Sequence, residues 1–143
     1  MVRLQCAECP YKYCHAGVVD EEKLPDFCPM KVYRGVIDEV VERYKDESVS
    51  RLYVPATIVE CEAYERVRGI IMPVRPRVRE LIEFAKKIGV KRIGVAFCIG
   101  LSDEAKRLVE ILKDSGFEVH SILCKCGAID KTKLGVPDEY KIR

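Results

Sequence analysis

Cysteine is the residue type with the most chemistry in this 143-residue chain, and four of the eight cysteines lie near its start. Their spacing is C-x2-C-x4-C-x13-C, and they are Cys6, Cys9, Cys14 and Cys28. Four thiolates complete a tetrahedral zinc site or hold an iron-sulfur cluster, and a two-residue gap lets one tight turn direct two sulfurs at one ion. The spacing predicts a metal site of one of these kinds, either a structural clamp or a redox centre, with two disulfides as the alternative.

Three further cysteines follow predicted strands. Cys98 comes directly after one strand, and Cys124 and Cys126 come after the next. The carboxyl ends of parallel strands meet at one edge of a sheet, where ligands gather, so we expect these thiols to lie together. Three thiolates without an obvious fourth ligand form an open site, for a metal or for a cluster with one uncapped iron. All three are candidate cofactor-binding and catalytic residues. A metal-free dithiol formed by Cys124 and Cys126 is an alternative.

The other cysteine and the two histidines have structural interpretations. Cys61 lies in a predicted helix and is interpreted as a core residue. His120 lies within a predicted strand and is expected to be a structural or surface residue. His15 adjoins Cys14 and is a minor alternative to one thiolate ligand.

An arginine-rich segment gives the second candidate function. Five arginines lie among apolar residues in the stretch 66–79, and they are Arg66, Arg68, Arg75, Arg77 and Arg79. Such a cluster is typical of a solvated loop, or of a zinc-stapled module that binds RNA or a phosphorylated partner. The segment has no aromatic residue for base stacking, and the chain has no glycine-rich nucleotide loop. We therefore do not favour nucleic acid as the partner.

Composition places these motifs in a compact protein. The chain is 48% hydrophobic and has a formal net charge of +2, which by itself indicates neither nucleic acid nor a membrane. It lacks a signal-peptide pattern and a run of roughly 20 apolar residues, so the sequence predicts a cytoplasmic protein with no membrane partner. Charged residues make up 34%, Gln5 is the only glutamine and asparagine is absent, as in thermophile proteins. Intracellular disulfides occur in hyperthermophiles, which keeps that alternative open.

The helices and strands that the sequence predicts around the thiols indicate an α/β fold with two domains. Residues 1–29 form a cysteine-rich metal-binding lobe, and residues 30–143 form an α/β domain. The domain is predicted to contain a helix to about residue 47, a second helix capped by Ser48 or Ser50, and a loop or edge strand over 66–79. Pro55 fits the second helix only in its first turn, and β-branched residues there leave a strand possible.

The clearest unit is a βαβ motif. It follows a helix that ends at Gly89, and consists of strand 92–97, a helix capped by Ser102 and ended by Gly116, and strand 117–123. Its two strands should be parallel. Two strands make a poor sheet, so either a third strand lies within 51–74 or two chains join.

Five segments of the chain together carry a resemblance to known proteins. They are CAECPYKYC (6–14), LPDFCPMK (24–31), ELIEFAKKIG (80–89), GVAFCIGLSDEAK (94–106) and ILCKCGAIDKTKLG (122–135). These segments resemble an uncharacterised family of cysteine-rich, metal-binding archaeal and anaerobic-bacterial proteins, a domain of unknown function. The resemblance implies metal binding through the N-terminal four cysteines, with Cys98, Cys124 and Cys126 as a second set, and it supplies no established reaction.

The same resemblance implies a possible partner. Family members continue beyond the equivalent of Arg143 into a segment with further cysteines and a His-Asp pair. If those residues complete the second site, we expect this chain to have an incomplete one, to borrow ligands from another subunit, or to use a separate polypeptide. The position of Cys61 is usually alanine in the family, which agrees with its interpretation as a core residue.

Overall fold

The computed structural model describes residues 2–17 and 20–141 of the chain. It divides into two compact units, Met1–Tyr53 and Val54–Arg143. Helices and strands are both present, and the strands Arg92–Phe97 and Glu118–Leu123 are parallel, so the predicted α/β class is confirmed. The predicted domain boundary after residue 29 stays a prediction. No described helix is long and apolar enough to cross a membrane.

The first unit is built from short elements joined by turns. Single turns of 3-10 helix at Cys6–Glu8 and Glu21–Lys23 flank helix α1, Tyr13–Ala16. Helices α2, Pro29–Val32, and α3, Arg34–Arg43, follow. The predicted single helix from residue 30 to about 47 is therefore interrupted, because Tyr33 between α2 and α3 has non-helical backbone angles (φ −122°, ψ 34°).

Helix α4, Glu47–Glu62, confirms a helix rather than a strand in this segment, but it differs from the prediction in detail. Neither Ser48 nor Ser50 is its cap, because the Asp46 carbonyl already accepts the backbone N–H of Ser50 at 2.8 Å. Pro55 lies inside the helix rather than in its first turn. A proline there removes one helical hydrogen bond and costs about 3 kcal/mol. Arg51, whose carbonyl would have accepted that bond, is an exposed residue.

The first part of the arginine-rich segment lies in a two-stranded hairpin, so the predicted edge strand is confirmed there, whereas Arg77 and Arg79 lie in the helix that begins at Arg77. Strands β1, Tyr64–Val67, and β2, Ile70–Pro73, pair antiparallel. Arg68 and Gly69 join them, with φ values of 51° and 84°. Two positive φ angles in a two-residue loop match the twist of the flanking strands, and glycine adopts such angles without steric cost.

The predicted βαβ unit is confirmed with nearly the predicted bounds. Helix α5, Arg77–Lys87, precedes strand β3, Arg92–Phe97, and helix α6, Ser102–Asp114, leads to strand β4, Glu118–Leu123. The strands pair parallel and in register from Arg92 opposite Glu118 to Phe97 opposite Leu123. Their core is a small apolar cluster. It contains buried Ala85, Leu112 and Phe117, with Ile82, Val90, Ile93, Val95, Leu108 and Val119 packed against them.

Two expectations about this region need correction. Ser102 is not a conventional cap, because its hydroxyl donates to the Ile99 carbonyl at 2.7 Å instead of accepting a backbone N–H. Strands do lie within 51–74, yet in the described residues β1–β2 and β3–β4 are separate two-stranded sheets. The hairpin therefore does not complete the βαβ sheet, and pairing with a second chain stays a prediction.

Candidate metal and thiol sites

The four N-terminal cysteines line one cavity of about 230 Å³. Cys6 and Cys9 lie at the two ends of a single 3-10 turn, in which the Cys9 N–H donates to the Cys6 carbonyl at 3.3 Å. Cys14 lies in α1, and Cys28 immediately precedes α2. The predicted four-cysteine set is thus brought to a common space by short local elements.

The walls of this cavity are mainly apolar. Leu24, Phe27 and Met30 line it, and Leu24 is buried. Lys12 also lines it, from a left-handed backbone conformation with φ 47°. Cys9 and Cys28 are partly buried, whereas Cys6 and Cys14 are exposed. Thiols in such surroundings are shielded on one side and open to an entering ion on the other.

The types of the side chains at this cavity suit the predicted metals, but the distances between these side chains do not. Four thiols facing one cavity are the ligands that zinc and iron-sulfur clusters prefer. Within residues 2–17 and 20–141, however, no three His, Cys, Asp or Glu side chains lie close enough together to hold one ion. Ligation would require the turns to close further around the metal. His15 is exposed and is not among the residues that line the cavity.

The second candidate site lies where β3 and β4 end. The Cys124 N–H donates to the Phe97 carbonyl at 2.8 Å, which extends the ladder one residue beyond the last strand pair. Cys98 is the residue after Phe97, and its thiol is hydrogen-bonded to the Cys124 side chain. Parallel pairing therefore joins Cys98 and Cys124, as the positions at the strand ends predict.

Local donors stabilise the thiolate of Cys98. Its pKa lies below the ordinary value, first because the backbone N–H of Gly100 hydrogen-bonds to the sulfur and second because of the Cys124 side chain. The Ile99 N–H and the charge of Lys125 lower the pKa further, while partial desolvation opposes them. A thiolate, rather than a thiol, is the nucleophile and the metal ligand.

Cys126 has a different setting from the other two. It lies in the turn after β4, where its N–H donates to the Leu123 carbonyl at 2.9 Å. Cys124 and Cys126 line a cavity of about 630 Å³, which we call the C-terminal cavity, and Cys98 is not among its lining residues. The predicted trio therefore divides into two neighbouring thiols at the strand ends, Cys98 and Cys124, and Cys126, which shares the C-terminal cavity with Cys124. All three are exposed.

Sequence reasoning missed the charged groups of the C-terminal cavity. Asp130, Lys131 and Lys141 line it together with Lys125. The Asp130 carboxylate accepts the Thr132 N–H at 2.8 Å and the Lys141 ammonium at 3.1 Å. Hydrogen bonds from the Thr132 hydroxyl and N–H, followed by that from Lys141, lower the pKa of Asp130 to about 2. The Asp-Lys-Thr sequence, typical of an Asx turn, was the available signal.

The interpretation of Cys61 as a core residue is wrong. Cys61 is exposed, on the side of α4 that faces a cavity of about 500 Å³ also lined by Glu60 and Tyr64. Cys61 was interpreted as a core residue because it lies in a predicted helix, apart in sequence from the other cysteines, but much of that helix is exposed. The interpretation of His120 is confirmed: it is exposed, and its Nε2 lies 2.9 Å from the Glu118 carboxylate.

The arginines of the 66–79 segment pair largely with carboxylates of the chain itself. Arg75 contacts Glu83 at 2.6 Å and also Glu62. Arg77 donates to Glu80 and to the Tyr64 hydroxyl, each at 2.7 Å, and Arg79 contacts Glu83 at 2.8 Å. The Arg77–Tyr64 bond joins α5 to the hairpin, Arg75 links α5 to α4, and Arg79 pairs within α5. These three arginines therefore do not form a basic surface that is free to bind phosphates.

Comparison with known proteins agrees with the family resemblance seen in the sequence. The family model described as "Protein of unknown function (DUF1847)" matches residues 28–143. The chain is also 32% identical over 128 residues to uncharacterized protein MJ0455 of Methanocaldococcus jannaschii. That alignment covers 90% of this chain and 55% of the relative, so the chain spans about half the length of the curated protein it matches. No solved structure matches. The chain belongs to the DUF1847 family.

Proposed function

We propose that this chain is a thiolate metal-binding protein with two functionally distinct sites. The N-terminal cysteines hold zinc or an iron-sulfur cluster, and the thiols at the carboxyl edge of β3–β4 carry redox or sulfur-transfer chemistry. The observation that supports the first part most strongly is the convergence of all four N-terminal cysteines on one cavity.

The size of that cavity bears on which metal it holds. About 230 Å³ is many times the roughly 10–15 Å³ that a cavity needs to hold one water molecule. A single zinc ion would leave much of this space empty unless the turns close around it, whereas a cluster would fill more of it. When bound, zinc would supply a structural cross-link, and a cluster would supply electron transfer.

The second part is supported by the environment of Cys98. Its sulfur accepts backbone N–H groups of Gly100 and Ile99, lies beside Cys124 and is near the Lys125 charge. These contacts favour a reactive thiolate at an exposed position. A buried structural cysteine would lack both features.

Metal content and colour of the anaerobically purified chain test this function. We expect about one zinc per chain without visible absorption, or iron with sulfide and a brown colour. Cys14→Ser should remove this metal, whereas Cys61→Ser, an exposed cysteine outside both sites, should leave it in place. Metal-free protein from anaerobic cells, or equal metal content in both variants, would overturn the N-terminal assignment.

The binding-module alternative makes a different prediction. A structural zinc module that presents arginines to RNA would show binding that weakens steeply with salt and with Arg75→Ala. Because Arg75 already contacts Glu83 at 2.6 Å, we expect Arg75→Ala to reduce folding stability and to leave RNA binding unchanged. Salt-dependent binding that this variant abolishes would favour the alternative.

A further inference from the structure

We propose that Cys98 and Cys124 form a redox-active dithiol that exchanges with anionic disulfides, and that lysines of the C-terminal cavity hold the negative groups of the substrate. The inference rests on the proposed thiol chemistry at this edge and narrows it to one cysteine pair and one substrate class. It replaces the Cys124–Cys126 dithiol that the sequence alone indicates.

The backbone places the two cysteines at disulfide distance. They follow the paired residues Phe97 and Leu123, and the Cys124 N–H bond to Phe97 continues the ladder. Neighbouring strands lie about 4.8 Å apart, within the 4.4–6.8 Å range of Cα separations in disulfides. Hydrogen bonding to the Cys124 side chain lowers the pKa of the Cys98 thiol, which agrees with the two thiols lying side by side. A bond between them would therefore need little movement of the strands.

Both cysteines are also accessible to a substrate. Each is exposed, and Cys98 lies in the bend between β3 and the 3-10 turn Ile99–Leu101. Hydrogen bonding from the N–H groups of Gly100 and Ile99 lowers the pKa of its thiol. They can stabilise negative charge there both when Cys98 attacks and when it leaves.

The C-terminal cavity supplies cations beside the pair. Cys124 belongs to both the pair and the cavity, so a group bound in the cavity lies next to the dithiol. Lys141 is occupied by Asp130 and Asp138. Lys125 and Lys131 are exposed, and neither has an ion pair within residues 2–17 and 20–141. Their charges favour carboxylate-bearing or other anionic disulfides over neutral or cationic ones.

The exchange balances without any further reactant. The Cys98 thiolate attacks one sulfur of the substrate disulfide, forming a mixed disulfide and releasing the first substrate thiolate. Cys124 then gives up its proton and attacks the Cys98 sulfur, which forms the Cys98–Cys124 bond and releases the second thiolate. The substrate gains two electrons and, on protonation, two hydrogens, and the protein dithiol loses both. A dithiol donor reverses the reaction.

The test uses three disulfide probes on the full-length, anaerobically purified chain. They are glutathione disulfide, which is anionic, 2-hydroxyethyl disulfide, which is neutral, and cystamine, which is cationic. Thiol release is followed with time, and the product is mapped by proteolysis and mass spectrometry. We expect a Cys98–Cys124 cross-linked peptide, two hydrogens lighter than its reduced form, and the fastest reaction with glutathione disulfide. Cys98→Ser should abolish the cross-link, and Cys61→Ser should leave it unchanged.

A charge-matched pair of variants tests the cavity. The double variant Lys125→Gln/Lys131→Gln should react about tenfold more slowly with glutathione disulfide and at an unchanged rate with 2-hydroxyethyl disulfide. Lys106→Gln/Lys113→Gln removes the same charge from exposed positions of α6 and should behave as the unmodified chain. An equal decrease in the rate with glutathione disulfide in both double variants would overturn the assignment of an anionic substrate.

Other outcomes separate this inference from the proposed function. A Cys124–Cys126 cross-link, or a stable adduct on Cys98 that Cys124 never displaces, would overturn the pair. Cys124→Ser could instead remove a second equivalent of metal while the unmodified chain forms no cross-link. That result would overturn the Cys98–Cys124 dithiol and leave the proposed thiolate site at this edge in place. If the edge shows neither metal nor a cross-link, both proposals for it fail.

Discussion

The four-cysteine cavity and the Cys98–Cys124 edge both gather thiols, but the chain positions them by different means. The N-terminal thiols lie on a 3-10 turn, a four-residue helix and the start of another. Cys98 and Cys124 extend from strands whose backbone hydrogen bonds continue up to the thiols themselves. One arrangement is local and the other depends on a sheet.

From this difference we expect the N-terminal site to depend on a bound ligand for its order and the strand-edge site not to. Helices of one turn are unstable in isolation, and Leu24 is the only described residue before Val59 that is buried. The N-terminal lobe should therefore depend on a metal for its order. The strand edge belongs to a unit with its own apolar core, centred on Leu112, so we expect it to keep its thiols together without a ligand.

The largest expected effect is the loss of the lobe on metal removal. Structural zinc contributes on the order of 10 kcal/mol to folding in small domains, so chelation or Cys14→Ser should release the turns around the cavity. Hydrogen exchange measured by mass spectrometry should show faster exchange in residues 6–16 and 20–32 and unchanged exchange in β3 and β4. Cys61→Ser is the control. Unchanged protection of the lobe in metal-free protein would remove the contrast between the two regions.

A core substitution should destabilise the βαβ unit and leave the N-terminal lobe unchanged, with a smaller effect than metal removal. Leu112 is fully buried, and Leu112→Ala should lower the free energy of unfolding of the βαβ unit by about 2–5 kcal/mol. Its neighbour Ile111 is 44% exposed, and Ile111→Ala should cost about 1 kcal/mol or less. Denaturant unfolding followed by circular dichroism measures both. Metal content of the lobe should stay the same in each variant, and its loss in Leu112→Ala alone would contradict independent support of the two sites.

The smallest expected effect is a pH dependence at the C-terminal cavity. The pKa of Asp130 is lowered to about 2 by Thr132 and Lys141, so it lies below the value in the unfolded chain. The ionised carboxylate therefore stabilises this turn above the unfolded value of about 4, and the stabilisation is lost as the pH falls toward 2. The NMR shift of the Thr132 amide, which donates to Asp130, should change in that window in the unmodified chain and stay constant there in Asp130→Asn.

A matched variant checks that this pH dependence belongs to the turn. Asp114→Asn removes an exposed carboxylate at the end of α6 and should leave the transition in place. If both variants lose the transition, Asp130 is not its source. If the transition persists in both variants, the contacts of Asp130 with Thr132 and Lys141 do not stabilise the turn.

Much of the βαβ unit was predictable because its signals are local. The apolar strand 92–97, the acidic first turn after Ser102 and the glycine at 116 each specify an element with near neighbours only. The hairpin was missed because prolines and arginines hid two short strands, and the Arg68–Gly69 turn is an uncommon pairing for positive φ. Cys61 was misplaced because the usual burial of a lone cysteine in a helix does not show whether anything covers that position.

The sequence by itself determined the chemistry of this protein: eight thiols, their grouping into an N-terminal four and a strand-end three, and an α/β fold to carry them. Tertiary structure decided which thiols meet. Strand register joined Cys98 to Cys124 and left Cys126 in the next turn, and folding of the C-terminal segment brought Lys141 to Asp130 beside the dithiol. Spacing along a chain limits what can be near, but distances between residues far apart in sequence follow only from pairing and packing.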